Sequence, residues 1–406
     1  MTSYKELGLP PIINACGTVT RLGGAPMPAK VLDAFNEAAK AWVPLEQIQA
    51  AASRRIAETT GAQAGLVTAG SAAALTLGTA AMLAGQDLGR MENLPQTDGF
   101  PNEIIIAREQ RSGYDHAIRA AGARLVEVGF NEVTSNAGVR RTELWEFEVA
   151  ITPQTAGIAY VHGPGSCPKL SDVVEMAHRH QLPVLVDAAG ELPPRENLKR
   201  IPDTQADLVA FSGGKAIRGP QSTGILCGRR DLISSAALQM LDMDDHLELW
   251  DPPTDYIDRS QLAGIPRHGI GRALKVSKEE IIALLTALEL FSTGAYDGDP
   301  PRLYSYLESI LGGLKNAHAE CRIVTPNSRD RWAILEIAVD EQALGRTAFD
   351  VCKDLRDGTP SVYVGHGNLA AGTLVVNPLC LNEESTDKLT RRLCEELGSP
   401  VSSTSS

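Results

Sequence analysis

A chain of 406 residues exceeds one ordinary domain and predicts a large domain with a smaller companion. Its 43% hydrophobic and 22% charged residues are the proportions of a soluble globular protein with a sizeable core. The formal charge of −12, from 38 basic and 50 acidic side chains without long single-sign blocks, repels phosphate backbones and argues against nucleic acid as the main partner.

The seven cysteines (Cys16, Cys167, Cys227, Cys321, Cys352, Cys380, Cys394) are scattered and form no CxxC pair, which argues against a disulfide framework and against a zinc site. The opening "MTSYKELGLPP" has no apolar signal core, and no uninterrupted apolar run reaches the ~18 residues of a membrane span. A cytoplasmic location without membrane contact is the expectation. Pro, Gly and Ala mark residues 1–45, which read as an extended N-terminal arm. Over 46–289 short apolar runs ("AGLVTA", "EIIIAR", "RLVEVG", "GIAYVH", "PVLVDA", "DLVAFS", "TGILCG") alternate with helical patterns such as "GYDHAIRAAGA" and "SDVVEMAHRHQ". That alternation predicts an α/β domain with a mainly parallel sheet of seven strands, covered on both faces. Residues 290–398 carry "RIVTP", "WAILEIAV", "SVYVG" and "TLVVNP" between helical stretches and predict a smaller α+β domain. The Ser-rich tail 399–406 is expected to be disordered.

Three features of the large domain carry chemistry. In "VTAGSAAALTLGTAAML" a strand enters a helix through Gly70 and Ser71, and a helix start of small residues exposes backbone N–H groups that suit a phosphate. The alternative is an Ala-rich core helix with Ser71 as its N-cap. In "PVLVDAAGELP", Asp187 ends an apolar strand, where open α/β sheets place their ligands. It either meets a cation there, such as a protonated ring nitrogen, or caps the next turn. Lys215 in "DLVAFSGGKAIRGPQSTGILCG" follows the next strand, behind Ser212, Gly213 and Gly214. A lysine in a dry pocket is a nucleophile able to form an imine with an aldehyde, Ser212 can donate to a phosphate, and the glycines let the backbone approach a bulky ligand. The alternative is a solvated lysine in a turn. An anion site, a strand-end Asp and a strand-end Lys, in that order on a parallel sheet, meet the needs of pyridoxal 5'-phosphate.

With "INACGTVTRLGGA", "VTAGSAAAL", "AGARLVEVG", "VDAAGELPP", "DLVAFSGGKAIRGPQSTGILCGR" and "GIGRALKVSKEE", the chain resembles fold-type-I pyridoxal-phosphate enzymes of the selenocysteine synthase (L-seryl-tRNA selenium transferase) family. The likeness runs over about residues 10–290 and is loose in the last third. It implies Lys215 as the imine-forming lysine and Asp187 as partner of the pyridine nitrogen. It further implies Gly70, Ser71 and Ala72, aided by Ser212, as the phosphate site, and Ala189 against one ring face. Tyr114 and His116 both stand as groups for the opposite face, with a half-buried anchor and a solvated helix residue as their plain readings. Arg21 and Arg218 are candidates for the substrate carboxylate, Arg21 alternatively making a surface salt bridge. The small-domain stretch "SVYVGHGNLAAGTLVVNPL" offers His366 but no arginine in its strands. Arg272 and Lys275 either reach a phosphate or lie on a solvated helix start.

That family normally carries an N-terminal tRNA-gripping domain, whereas here the catalytic arm begins at about residue 10. The resemblance therefore points to the family's small-molecule branch, similar to D-glucosaminate-6-phosphate ammonia-lyases. The reaction expected is a lyase or dehydratase step on a β-hydroxy or sugar-derived amino acid. Racemisation, aldol cleavage and oxidative decarboxylation of a small amino acid stand as alternatives. Subunits of the family share active sites, which implies a homodimer or larger homo-oligomer.

Overall fold

The computed structural model describes residues 3–130, 140–242, 244–265, 267–325 and 332–398; the Ser-rich tail lies outside them. The chain divides into two compact units, Met27–Thr293 and Met1–Pro26 with Gly294–Ser406.

All seven apolar runs of the larger unit are strands of one sheet: β1 (Ala64–Thr68), β2 (Glu103–Ala107), β3 (Arg124–Val128), β4 (Thr155–Val161), β5 (Val184–Asp187), β6 (Leu208–Ser212) and β7 (Gly224–Gly228). Their order is β1-β7-β6-β5-β4-β2-β3. The neighbours from β6 through β3 pair in parallel, and β7 runs antiparallel to both β6 and β1. Strands β1, β2 and β7 are buried at every residue. Successive side chains point to opposite faces, so both faces are covered, and this is why these runs are continuously apolar rather than alternating. Helix α1 (Ala29–Ala38), α2 (Leu45–Thr60), α3 (Gly70–Ala84), α4 (Asp115–Ala120), α5 (Leu170–Arg179), α6 (Arg230–Met240) and α7 (Lys278–Ser292) belong to the same unit. Helix α3 is buried from Ala73 to Ala81 without a polar stripe, as befits a helix in the core.

At the end of the sheet where β5 and β6 begin, Asp207 is 2% exposed and fully engaged. Its carboxylate accepts from the Val184 N–H (2.8 Å) and Arg229 Nη1 (2.9 Å), and His178 Nε2 stands 3.0 Å away. One side chain thus ties β5, β6 and the residue after β7.

The smaller unit has an antiparallel sheet of Thr373–Val376, Ile334–Val339 and Ala319–Val324, with Ile334–Val339 central. Its core takes Leu307 and Ile310 from helix Asp299–Gly313, Val351 and Leu355 from Ala348–Asp357, and Leu389 and Leu393 from Glu383–Glu396. The expected arm of residues 1–45 is divided between the units. Ile13–Ala15 is a strand pairing in parallel with Val362–Val364, whereas residues 29–38 form α1, whose end is held by Lys278 Nζ donating to the Ala38 carbonyl (2.8 Å). A strand whose partner lies some 350 residues away leaves no local signature beyond its apolar residues.

Replacing Asp207 by Asn should lower unfolding free energy by about 1–3 kcal/mol, because a buried acceptor for three donors loses its charge. Urea melts of the two proteins test this; agreement within about 0.5 kcal/mol, the scatter of neutral surface changes, would show that the clamp contributes nothing.

Candidate active site

The sheet register gathers the sequence-predicted groups of the larger unit at one edge. Thr68, the last residue of β1, pairs with Gly224, the first of β7, and Gly224 pairs with Ser212, the last of β6. Asp187, the last residue of β5, pairs with Ala210 and Val161. With strands ~4.8 Å apart, three strand spacings, about 14 Å across the sheet, separate the end of β1 from the strand that Asp187 ends.

Helix α3 starts at this edge. Its N-cap is Ala69, which has no side chain able to cap, and its first turn contains no acidic residue. Ser71 is therefore not the N-cap; it sits one residue inside the helix. The free N–H groups of a 15-residue helix are left for an anion, with the positive end of its dipole behind them. The backbone of β7 holds this turn in place. A Cβ on Gly224 would stand 2.4 Å from the Gly70 carbonyl carbon and 2.6 Å from the Ser71 nitrogen.

Asp187 is largely buried. Burial raises its pKa above the ordinary carboxylate value, opposed by the Ala189 N–H donating to Oδ1 (3.0 Å) and by the charge of Lys215. A buried carboxylate with one backbone donor accommodates a further cation or N–H group. It borders a narrow crevice, together with Leu75 of α3, Ser112, Tyr114, Asp115 and Tyr160. Tyr114 is 61% exposed; His116 is exposed on α4 and is not among the residues bordering this cleft. Asp115 is buried and fixes the Tyr114 loop, accepting from Arg111 Nε (2.5 Å) and from the Ser112 N–H (3.2 Å).

Lys215 is half-buried in the turn between β6 and β7. The turn is closed by the Arg218 N–H donating to the Lys215 carbonyl (3.0 Å) and the Gly219 N–H donating to the Gly213 carbonyl (2.9 Å). Arg218 is buried and holds a left-handed backbone (φ 61°), a conformation that costs a non-glycine residue on the order of 1 kcal/mol. The two glycines before Lys215 have a packing role in the fold. A Cβ on Gly214 would meet the Gln221 backbone at 2.5 Å, and one on Gly213 would meet Thr223 Oγ1 at 2.3 Å. Their smallness lets the turn pack against the returning chain at Gln221–Thr223.

Two residues at this edge have no conspicuous motif in sequence. Gln110, 8% exposed, follows β2 and accepts from the Val161 N–H through Oε1 (2.9 Å), while its buried Nε2 lacks a partner among the described residues. His162 follows β4 and donates its backbone N–H to the Asp187 carbonyl (2.9 Å). Its buried Nδ1 is also without a partner among the described residues, and burial, then the charge of Arg200, lowers its pKa, which keeps the ring neutral. Unpaired buried polar atoms at strand ends, an uncapped helix start and an under-satisfied carboxylate fit a polar ligand, anionic at one end and cationic at the other.

Of the other predicted residues, Ser212 and Ala189 lie at this edge, half-buried. Arg272 donates to Asp242 (2.7 Å) and Lys275 is exposed. Arg21 and His366 belong to the smaller unit, both exposed, with the Arg21 guanidinium over the Tyr363 ring.

Comparison with known proteins bears on this geometry. Residues 103–243 match the aminotransferase class-V family. The chain is 30% identical to a 5'-C-glycyluridine monooxygenase-decarboxylase of Streptomyces sp, over 97% of this chain and 91% of that one. It is 29% identical to the D-glucosaminate-6-phosphate ammonia lyase of Salmonella typhimurium, over 97% of each. A solved structure of D-glucosaminate-6-phosphate ammonia-lyase superposes with a TM-score of 0.79 at 27% identity, covering 98% of this chain and 99% of that one.

The raised pKa of Asp187 means that the folded chain binds this proton more tightly than the unfolded chain. Its stabilising contribution is present below the ordinary value of 3.8 and is lost as pH rises through the folded-state value. In the ligand-free protein, Asp187→Asn should therefore lose less stability than wild type between about pH 4 and 7. Superimposable stability–pH profiles from denaturant melts would contradict the burial of this carboxylate.

Proposed function

The chain belongs to the selenocysteine-synthase-like family of fold-type-I pyridoxal-phosphate enzymes, and on that premise we propose that it is an ammonia-releasing lyase acting on a β-hydroxy or sugar-derived amino acid. The observation that carries the reading is the full-length agreement in fold with the ammonia-lyase, joined to one sheet edge bearing an anion site, Asp187 and Lys215. Pyridoxal 5'-phosphate is the cofactor; when bound it supplies an aldehyde for the substrate amine and a ring that takes up the electron pair of a breaking α-carbon bond.

The residues of the chain do the rest. The N–H groups of Gly70, Ser71 and Ala72, with the Ser212 hydroxyl, hold the phosphate. The Asp187 carboxylate would hold the protonated ring nitrogen, a cation that in turn favours the ionised carboxylate. Ala189 would pack against one side of the ring, and Tyr114, which lines the same crevice as Asp187, would pack against the other in preference to His116. Lys215 Nζ would receive the proton from the substrate Cα, and its ammonium form would pass that proton to the departing β-hydroxyl oxygen, so that water leaves with no net change in protonation. The net reaction, loss of water followed by hydrolytic loss of ammonia, would yield a 2-oxo acid. Of the two arginines considered for the substrate carboxylate, Arg218 lies buried beside Lys215, and Arg21 lies over the Tyr363 ring of the smaller unit.

A second reading has its own support: the Streptomyces relative is a monooxygenase-decarboxylase. Both reactions begin at the α-carbon and differ in the bond broken and in the demand for oxygen. Selenium transfer to a tRNA is opposed by the charge of −12. Among the described residues no helix is long and apolar enough to cross a membrane. We further propose a cytoplasmic enzyme working as a homodimer or larger homo-oligomer.

Purified protein should show visible absorbance from lysine-bound cofactor, and Lys215→Ala should abolish it; absorbance that survives the substitution would sink the lysine assignment. In a screen of D- and L-β-hydroxy amino acids and amino-sugar acids, ammonia and 2-oxo acid without oxygen uptake is the expected outcome. Oxygen consumption with carbon dioxide release would replace the lyase reading by the oxidative one.

A further inference from the structure

We propose that Leu284 and Glu280 of helix α7 are the positioning residues of Lys215: Leu284 seats against the neck of the turn that carries the lysine, and Glu280 ties down the chain returning from it. The inference rests on the reading of Lys215 as the imine-forming lysine.

Glu280 and Leu284 are four residues apart on α7 and so share one face of it. The Lys215 turn is narrowest where the Gly219 N–H donates to the Gly213 carbonyl (2.9 Å). Both residues of this neck are buried glycines, and Leu284, itself fully buried, stands where a side chain would go. A Cβ on Gly213 would meet Leu284 Cδ1 at 2.6 Å, and one on Gly219 would meet the same atom at 2.9 Å. Neither glycine has a left-handed backbone, so close packing rather than conformation keeps these positions bare. Arg218, between the lysine and the neck, is held at a φ of 61°. Such a conformation persists only where its surroundings enforce it, and release of the neck would let Arg218 relax and carry Lys215 with it.

Glu280 acts beyond the neck. Its Oε2 accepts from the Ser277 N–H (3.1 Å), closing the capping box of α7, while Oε1 accepts from the Ser222 hydroxyl (2.5 Å). A hydroxyl donating to a carboxylate at this length is among the stronger hydrogen bonds. Ser222 lies on the chain that returns to β7, and its carbonyl oxygen would stand 3.7 Å from a Cβ on Gly70, so the same tie reaches the start of α3. The helix is anchored in turn, since Lys278 Nζ donates to the Ala38 carbonyl (2.8 Å). An amine at the end of four flexible methylenes meets one ligand atom reproducibly only when its backbone is fixed, and α7 supplies that fixity from outside the turn. In "GIGRALKVSKEE" the conspicuous residues are Arg272 and Lys275, yet it is Glu280, the last of the stretch, that reaches the Lys215 loop.

The test loads the full chain with pyridoxal 5'-phosphate and compares wild type with L284A, L284M and S222A. Lysine-bound cofactor is followed by visible absorbance, trapped with borohydride and assigned to Lys215 by peptide mass, while urea melts give the folded fraction. L284A should raise the cofactor concentration for half-maximal trapping about tenfold or more. L284M, which conserves volume, should return it to within about threefold of wild type. S222A should raise it about threefold, the effect of one hydrogen bond. A leucine serving stability alone would lower the melt and leave the trapping curve of the folded protein unchanged, and that result overturns the inference. Should L284A fail to fold, S222A decides, since Ser222 is exposed; an unshifted curve then rejects the proposal. Wild type that traps no cofactor on Lys215 rejects the lysine assignment and this inference together, whereas trapping in wild type with unshifted variants rejects this inference alone.

Discussion

The backbone of Gly224 lies so close to the first turn of α3 that a single methyl group could not stand between them. Much of the larger unit depends on that contact. Gly224 is paired on one side with the last residue of β1 and on the other with the last residue of β6. The anion-seeking helix start, Ser212 and the turn carrying Lys215 are therefore related by backbone hydrogen bonds rather than by side-chain packing. A site so built keeps its dimensions when surrounding side chains move, as is required of groups that must hold one ligand at both ends.

Two aspartates at opposite ends of neighbouring strands, Asp207 buried and Asp187 half-buried, show how partners leave one carboxylate satisfied and the other not. Asp207 meets the Val184 N–H, Arg229 and His178, and is used up by the fold. Asp187 has one backbone donor, and burial raises its pKa. The chain thus leaves an incompletely satisfied carboxylate and an uncapped helix start on the same sheet edge. Each is unfavourable alone, and a ligand carrying a phosphate at one end and a protonated ring nitrogen at the other relieves both.

Much of this was legible in the chain. The seven strands of the larger sheet stand out because full burial on both faces demands runs such as Ile104–Ile106 and Leu208–Phe211. Asp187 and Lys215 stand out because each follows such a run directly. Less legible were residues whose meaning depends on distant neighbours. Ile13–Ala15 reads as part of an arm until Val362–Val364 is beside it. The close packing of Gly213 and Gly214 is invisible until the chain returns beside them at Gln221–Thr223. Gln110 and His162 are ordinary polar residues until burial strips water from one nitrogen of each.

By itself the sequence determined the α/β architecture and, through the order of a small-residue helix start, a strand-end Asp and a strand-end Lys, pointed to the cofactor class, because periodicity and residue type are local properties. Tertiary structure decided which residues of the larger unit stand together: Tyr114 beside Asp187, and the uncapped start of α3 against Gly224. Burial, sheet register and the charge left uncompensated around a side chain arise only when segments far apart in the chain meet.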